Sequence, residues 1–509
     1  PSDYEQDLLL SVALGKQIVE GSIDWAIHEL IENTIDISEL DAQYKNDLTG
    51  APAYNPRVML KIVLAGYSRG ILSSRRLEQT CKENVVFMAL TCGATPDHST
   101  IAGFVAGLGD KAMLIFQQIL MICEKEGLLS GTHLSIDGSK MPSNASKEWS
   151  GTFQELKDKK RRIEAKIADM VNTHKRNDAG DPGDDDKRSK KRLKKLQDAA
   201  QSIDEFLNKN EPRKGFSGKE IKSNMTDPDS AKMSTSHGVL QGYNANAVVD
   251  EKHQIIVGAY AFGHGTDHRN LETLLEQTEH TCQHIGLCTS LKDMILSADT
   301  SYFSKRNLEA CQRYGVDAYI PDPHFRSRDP RLEDNKRFRR KTAIAAKPSR
   351  KDSRKFRPSD FTYDEANKKL TCPNGEHLMS NGSNIIRQGY VYHDFVAETG
   401  QCAPCPLRSQ CLRNDTTLAR SVSINKGKHD NKQKKGLCEL MKDKIDTIHG
   451  RRTYSKRMGI VEPVFATINF HKGMKRFLLR GIKKVNAQWL LFCTIHNITK
   501  ISTRKWALA

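Results

Sequence analysis

Apolar residues recur at helical spacing through the first 130 residues and predict a helical N-terminal region. Serines open one of these segments, Ser73–Cys81, and serine is a common N-cap residue, so a helix is expected to begin there. Residues 1–130 are therefore predicted to form a helical domain. The segments with the clearest pattern are Ile23–Ile35, Pro56–Arg69, Ser73–Cys81 and Thr100–Glu126.

After residue 130 the pattern changes to short apolar runs that predict strands. The first run is Leu134–Ile136, and the next two, Tyr243–Val249 and Ile255–Tyr260, flank a turn. An amphipathic helix over Asp267–Gln283 and a fourth strand over Met294–Ala298 follow. Strand, strand, strand, helix, strand is the opening order of an RNase H-like sheet. The fold class predicted for the chain is therefore α/β, with a mixed RNase H-like sheet as its core.

Two insertions interrupt this predicted core. Two charged helical segments lie within residues 153–215, and the polar run Asn177–Asp186 between them indicates a helical hairpin. Residues 322–440 are basic and contain a cluster of cysteines, which predicts a small separate module. The predicted divisions are a helical domain at 1–130, the first part of the core with its hairpin at 131–321, the inserted module at 322–440 and a C-terminal helical part of the core at 441–509.

The charge of the chain is strongly positive and unevenly distributed. The 509 residues carry 79 Lys and Arg against 62 Asp and Glu, a net charge of +17. Residues 1–50 hold eleven acidic residues and two lysines, a net charge of −9, so the rest of the chain carries +26. A positive excess of this size fits a polyanionic partner, most often a nucleic acid.

Three basic tracts are candidates for phosphate contacts: 157–195, 326–357 and 442–484. The middle tract holds fourteen basic and four acidic residues, and its densest part contains Arg337, Arg339 and Arg340. The alternative is that such runs are only solvated helix faces. No apolar run reaches the length of a membrane span, and Pro1 does not open a signal peptide, so the expected compartment is the cytoplasm.

Two aspartates occupy positions that suit metal-dependent chemistry. Asp137 and Asp299 each follow a short apolar strand, where a carboxylate projects from the end of the sheet. Oxygen ligands of this kind suit magnesium or manganese, and two-metal phosphoryl transfer draws its ligands from separate elements. Glu462 is the preferred third carboxylate, with Asp443, Asp446 and Glu398 as competitors. The alternative is that each residue is only a turn or a helix cap.

Twelve cysteines in 509 residues are too sparse for a disulfide scaffold, but four of them cluster. Cys372 is followed by the pair Cys402 and Cys405 and then by Cys411, a set that predicts one structural zinc held by four thiolates. His377 and His393 are substitute ligands if one cysteine is not used. Reduced structural cysteines are the alternative.

His264 and His268 have the spacing of a metal-binding pair; the first lies within the Gly-rich loop Gly263–Asp267 and the second directly follows it. Thr266 and Asp267 are suited to helix capping, so the loop is interpreted as a helix start rather than as a metal site.

Several motifs together resemble the bacterial insertion-sequence transposases of the DDE superfamily, over roughly residues 1–500. The resemblance implies a DNA transposase that binds the ends of its element and cleaves and joins DNA with two magnesium or manganese ions. It also implies double-stranded DNA as partner, a homodimer on that DNA and a place at the bacterial nucleoid. The motifs are Asn55–Arg76, Pro96–Phe104, Leu134–Ser146, Thr226–Met233, Gly242–Asp250, Leu296–Phe303, Tyr454–Glu462 and Lys475–Gly481.

The resemblance assigns Asp137, Asp299 and Glu462 as metal ligands and catalytic residues. It adds Tyr454, Arg457, Lys472 and Lys475 as DNA contacts. The related signature places three residues between its Arg and Glu, whereas four separate Arg457 from Glu462 here, and Asn469 stands at the family's Lys position. The alternative function is a zinc-containing nucleic-acid-binding protein without activity, or a domesticated, inactive transposase.

Overall fold

The structure is a computed structural model in which the chain divides into two compact units. Unit 1 comprises Pro1–Arg328 and Leu437–Ala509, and unit 2 comprises Asp329–Gly436. The residues described are 12–42, 44, 53–177, 184–215, 218–236, 238–288, 290–332, 355–365, 367–387, 390–412, 414, 416–428 and 435–506.

Unit 1 begins with a set of packed helices. Asn55 caps the third of these, its side chain accepting from the Arg57 backbone N–H with Pro56 in the first turn, and Asp97 caps the sixth in the same way. The single helix predicted over Thr100–Glu126 is two helices, because Gly109 takes a φ of +49° between them. The helices are α1 (Ile23–Asn33), α2 (Ser38–Asp41), α3 (Pro56–Ser68), α4 (Ser74–Glu83), α5 (Val85–Leu90), α6 (His98–Gly107) and α7 (Lys111–Lys125).

A six-stranded mixed sheet follows these helices. In the order β6, β5, β1, β7, β8 the first three strands are antiparallel neighbours and the last three are parallel, while β4 pairs with the start of β5. Helices α10 (Leu271–His284) and α11 (Lys305–Arg313) connect its later strands. The strands are β1 (His133–Pro142), β4 (Ala231–Thr235), β5 (Gly238–Asp250), β6 (Ile256–Phe262), β7 (Ile295–Ala298) and β8 (Asp317–Tyr319).

The helical hairpin predicted for residues 153–215 is present as α8 (Phe153–Asn177) and α9 (Asp184–Lys209). It has a small apolar core of its own, which includes Leu156, Ile203 and Phe206. Short strands β2 (Ser150–Gly151) and β3 (Ser223–Asn224) pair at its base. Some of its basic residues form ion pairs on the hairpin: Lys160 Nζ lies 2.6 Å from Asp204 Oδ1 and Arg161 Nη2 lies 2.6 Å from Asp158 Oδ1.

The last part of unit 1 consists of α13 (Leu437–Asp446), α14 (Ile448–Ala466) and α15 (Ile482–Ile501). Helix α15 packs against α3, α7 and β6, and Phe492 stacks on Tyr67 of α3 with 4.5 Å between ring centroids. A single hydrophobic core therefore runs through the N-terminal helices, the sheet and α15. Residues 1–130 accordingly belong to the same compact unit as the sheet.

Unit 2 lies within the predicted 322–440 insertion and is built on a five-stranded antiparallel sheet in the order β13, β12, β11, β10, β9. Its core includes Leu370, Leu378, Phe395 and Val422. The elements are β9 (Thr362–Asp364), β10 (Lys369–Thr371), β11 (His377–Arg387), β12 (Tyr390–Val396), α12 (Arg408–Cys411) and β13 (Ser421–Lys428).

Among the described residues, no single helix is both long and apolar enough to cross a membrane. Only α6 and α7 counted together pass that test, and they are bent by 78° relative to one another.

Candidate active site

Asp137 lies at the point where β1 loses one of its two neighbours. Parallel pairing of β1 with β7 covers His133–Ile136 and stops, while antiparallel pairing with β5 continues to Pro142. The prediction that the strand ends at Asp137 is therefore wrong. Residues beyond Asp137 stay extended because β5 supplies backbone partners for them, so Asp137 borders an opening on the β7 side only.

Asp299 lies at the same level of the sheet. It directly follows β7, whose last residue, Ala298, is in register with Ile136 of β1. Asp299 is the N-cap of a 3₁₀ turn over Thr300–Tyr302 that leads the chain away from the sheet. Adjacent strands lie about 4.8 Å apart, so Asp137 within β1 and Asp299 just after β7 lie near one another at one edge of the opening.

Glu462 reaches this place from α14 through its connection with Arg457. The Arg457 side chain is only 7% exposed, and its Nη2 lies 2.9 Å from Asp137 Oδ2. Its Nη1 lies 3.6 Å from Glu462 Oε1, and the Glu462 side chain is half-exposed. One guanidinium thus stands between the carboxylates of two elements that are 320 residues apart in the chain.

The electrostatics of the site are those of crowded carboxylates around one cation. Burial raises the pKa of Asp137, the Arg457 guanidinium opposes that rise, and the carboxylates of Asp299 and Asp267 add to it. Burial lowers the pKa of Arg457, but Asp137, Tyr454, Asp299 and Glu462 together outweigh that effect and hold the pKa above its ordinary value. Tyr454, one turn before Arg457, has its pKa raised to about 12 by burial, with the carboxylate of Asp299 contributing.

Asp446 and Glu398, two alternatives to Glu462 as third carboxylate, have different surroundings. Asp446 pairs with Arg328 at 2.6 Å and with Arg451 at 3.1 Å, so its charge is used within a separate ion-pair cluster. Glu398 belongs to unit 2. The contacts to Arg457 therefore favour Glu462 over Asp446 as the companion of Asp137.

Comparison with known families bears on this arrangement. The family described as Transposase DDE domain matches residues 371–502, and the family described as Transposase domain (DUF772) matches residues 15–106. These two matches support an insertion-sequence DDE transposase. No curated protein and no solved structure matched it. The first match includes Glu462, Arg457 and Tyr454 of the transposase, whereas Asp137 and Asp299 lie outside both.

Two buried asparagines on β5, next to the Asp137 segment of β1, were not identified as site residues from the sequence. Asn244 and Asn246 alternate with alanines on β5 and are fully buried. Asn246 Oδ1 accepts a hydrogen bond from the hydroxyl of buried Tyr302, and its backbone oxygen accepts from Trp489 Nε1 at 2.9 Å. A Cβ on Gly138 would lie 2.9 Å from Asn244 Oδ1, so only glycine fits beside Asp137. The Asn-Ala-Asn-Ala repeat was the available signal.

The predicted DNA contacts of the transposase separate into different environments. Tyr454 packs edge-on against Phe325, with 5.4 Å between ring centroids, and Arg457 faces the carboxylates. Lys475 is exposed, as a phosphate contact requires. Lys472 is buried with its Nζ donating to Thr499 Oγ1 at 2.9 Å, and burial lowers its pKa to about 8. That burial speaks against a phosphate contact for Lys472. The predicted contacts Arg337, Arg339 and Arg340 lie outside the described residues.

The four clustered cysteines of unit 2 all border one small cavity of about 30 Å³. Burial raises the pKa of the Cys411 thiol, Arg420 opposes that rise, and Cys402, Cys372 and Cys405 add to it. The proposed substitute His393 is used elsewhere: its Nε2 lies 2.7 Å from Ser380 Oγ and its ring stacks on Phe395.

In the part of the chain that the structure describes, no three His, Cys, Asp or Glu side chains converge closely enough to hold a metal ion as they stand. This holds both for the carboxylates of unit 1 and for the thiols of unit 2.

Proposed function

We propose that this transposase cleaves DNA at the ends of its element and joins the freed ends to a target, with Asp137, Asp299 and Glu462 as its catalytic carboxylates. The observation that carries the proposal is the Arg457 guanidinium, which lies within 4 Å of both Asp137 and Glu462. A cation shared by these two carboxylates indicates that α14 presents Glu462 to the edge of the sheet where Asp137 and Asp299 lie.

The strand order supports an RNase H-like core for this reaction. Strands β6, β5 and β1 form an antiparallel meander, and β7 and β8 extend it in parallel with β1. In this sheet the parallel pairing of β1 with β7 ends at Ile136 and Ala298, and Asp137 and Asp299 are the next residues of the two chain segments.

The residues fit magnesium or manganese by their donor chemistry. Carboxylate oxygens are the ligands that hard divalent cations prefer, and the carboxylates of Asp137 and Glu462 are already oriented towards a positive group. When bound between these residues, two ions stabilise the attacking and the leaving oxygen of a phosphodiester. Asp137, Asp299 and Glu462 would hold the ions.

The protein side chains around the carboxylates have supporting tasks. Arg457 neutralises Asp137 before any ion is bound and holds α14 against β1. The buried Tyr302 and Asn246, joined by a hydrogen bond, fix the turn after Asp299 to β5. The basic residues outside the site, Lys475 among them, supply the affinity for the DNA backbone. Two copies of the chain on paired transposon ends complete the proposal.

Cleavage of a duplex carrying the flanking DNA of the element tests this function. The wild type should cut in magnesium and not in chelator, and Asp137→Asn, Asp299→Asn and Glu462→Gln should each abolish cutting. All three should bind DNA with the wild-type affinity, because that affinity comes from the basic residues. Asp446→Asn is the matched control and should cut normally.

If Glu462→Gln cuts at the wild-type rate, Glu462 is not the third catalytic carboxylate. Equal binding without cutting by the wild type, in any divalent metal, would instead favour the alternative of an inactive DNA-binding remnant.

We also propose that Cys372, Cys402, Cys405 and Cys411 hold one structural zinc. Their position around one cavity supports this, because four thiolates are a common structural zinc site. Metal analysis of protein purified without chelator should find about one zinc per chain. Cys405→Ser should lose it, while Cys438→Ser, outside the cluster, should keep it. Zinc-free wild-type protein would refute the site.

A further inference from the structure

Asp267 does not cap the helix that follows it. Helix α10 begins at Leu271 with Asn270 as its N-cap, and no side chain accepts a capping hydrogen bond there. The Asp267 carboxylate is engaged elsewhere: its Oδ1 accepts from Asn244 Nδ2 at 2.5 Å and from Asn270 Nδ2 at 3.4 Å. Asp267 thus lies in a loop before a helix, as the sequence predicts, but the prediction that it caps this helix is wrong.

Two buried asparagines connect Asp267 to segments next to the catalytic aspartates. Asn244, which donates to Asp267, lies on β5 opposite Lys140 of β1, and a Cβ on Gly138, next to Asp137, would meet its Oδ1 at 2.9 Å. Asn307 Nδ2 donates both to the backbone oxygen of Asp267 at 3.1 Å and to that of Tyr302 at 2.8 Å. Tyr302 belongs to the turn that Asp299 opens.

A further hydrogen bond reinforces this position. Ser304 Oγ donates to the backbone oxygen of His268 at 2.9 Å, so the loop is attached to the chain just after the Asp299 turn at two points. The charge of Asp267 is also felt at the site, since after burial it is the largest cause that raises the pKa of Tyr302, ahead of Asp137.

The carboxylates of the site affect one another. Besides burial, Asp299 and Asp267 raise the pKa of Asp137, while Arg457 pairs with Asp137 and with Glu462. Like charges repel, and the side chains that hold Asp267 near Asp137 act against that repulsion. A site that gathers them by buried hydrogen bonds is suited to a multivalent cation.

We propose that Asp267 is a fourth acidic residue of the catalytic centre and supplies a carboxylate to the divalent ion held by Asp137 and Asp299. The inference rests on the proposed function, because it presupposes that these two aspartates bind metal. Its hydrogen bonds from Asn244 and Asn270 go to Oδ1, and Asp267 enters from the loop after β6, an element that supplies none of the other three carboxylates.

Titration of the full-length, DNA-free protein with Mn²⁺, with free ion measured by electron paramagnetic resonance, tests the inference. Asp267→Asn keeps an oxygen that accepts from Asn244 and removes the charge, and it should raise the dissociation constant for Mn²⁺ by about tenfold or more. Glu272→Gln is the control, since Glu272 lies in the first turn of α10 but pairs with Arg306 and Arg313. It should bind Mn²⁺ as the wild type does.

The outcomes separate the inference from the proposed function. If Asp137→Asn loses Mn²⁺ and Asp267→Asn binds it with the wild-type constant, Asp267 is not a ligand. If Asp137→Asn itself binds like the wild type, the metal site of the proposed function fails. Should Asp267→Asn melt below the wild type, Asp267→Glu takes its place in the titration. Retained Mn²⁺ binding by that variant supports a role for the charge, and lost binding overturns it.

Discussion

Replacing Arg457 by glutamine should weaken unit 1, mainly through the loss of its ion pair with Asp137. Two unit charges about 4 Å apart at an effective dielectric constant of 20 attract by about 4 kcal/mol. Part of this is offset by desolvation of the guanidinium, and the Asp137 side chain remains 24% exposed. We therefore expect Arg457→Gln to lower the free energy of unfolding by about 2–3 kcal/mol at pH 7.

The pH dependence of this loss has a definite sign. The folded-state pKa of Asp137 is raised by burial, and removing Arg457 raises it further. A carboxyl with a raised pKa contributes stability at low pH that is lost as the pH rises through that pKa. The penalty of Arg457→Gln should therefore be full at pH 7 and shrink as the pH falls through the raised pKa of Asp137.

Urea denaturation followed by tryptophan fluorescence is the assay. All four tryptophans, Trp25, Trp149, Trp489 and Trp506, belong to unit 1, so unfolding of unit 2 does not enter the signal. A double-mutant cycle with Asp137→Asn isolates the pair, and its coupling energy should be about 1.5 kcal/mol or more. Additive effects within about 0.5 kcal/mol, or a penalty that grows on acidification, would refute the reasoning.

Three further outcomes are expected. Lys472→Met should raise the free energy of unfolding of unit 1 by about 2–3 kcal/mol at pH 7, because burial disfavours the charged form of this lysine in the folded chain only. In urea denaturation repeated from pH 8 towards pH 10.5, this gain should vanish, because the unfolded chain then loses the same proton. Gly138→Ala should cost about 1–3 kcal/mol and reduce cleavage, because its Cβ would press on buried, hydrogen-bonded Asn244. Gly103→Ala, within α6 and with open space around its Cβ, should stabilise by about 0.5–1 kcal/mol and leave cleavage unchanged. Replacing Arg337, Arg339 and Arg340 together by Ala should flatten the dependence of DNA affinity on salt by about 0.9 in log–log slope for each lost phosphate contact, and an unchanged slope would mean that this tract is only solvated.

Four strands of the sheet could be predicted from the sequence because each contains a short apolar run, whereas β4 is largely polar and β8 has only three residues. The same reasoning singled out Asp137 and Asp299 as residues that follow such runs. It stopped β1 too early because Gly138, Ser139 and Lys140 are polar or small. Their extended conformation depends on the partner strand β5, which lies about a hundred residues away.

The roles of Arg457 and Asp267 could not be derived in this way. Arg457 reads as a phosphate contact on a basic helix, and only the folded chain brings its guanidinium to Asp137. Asp267 reads as a helix cap, a role that its residue type favours, until Asn244 and Asn307 are seen to hold it. Contacts between residues 23, 40 and 320 positions apart leave no local periodicity to recognise.

The packing of α15 has a consequence for synthesis of the chain. Helix α15 covers apolar faces of α3 and α7, and it is synthesised only after residue 482. These faces therefore stay exposed to solvent until nearly the whole protein has been made. A translation product that stops short of α15 would expose Tyr67 and its neighbours to water and to other chains. Such fragments should aggregate or be degraded. A truncated gene should therefore yield little folded N-terminal fragment that could compete with the complete protein.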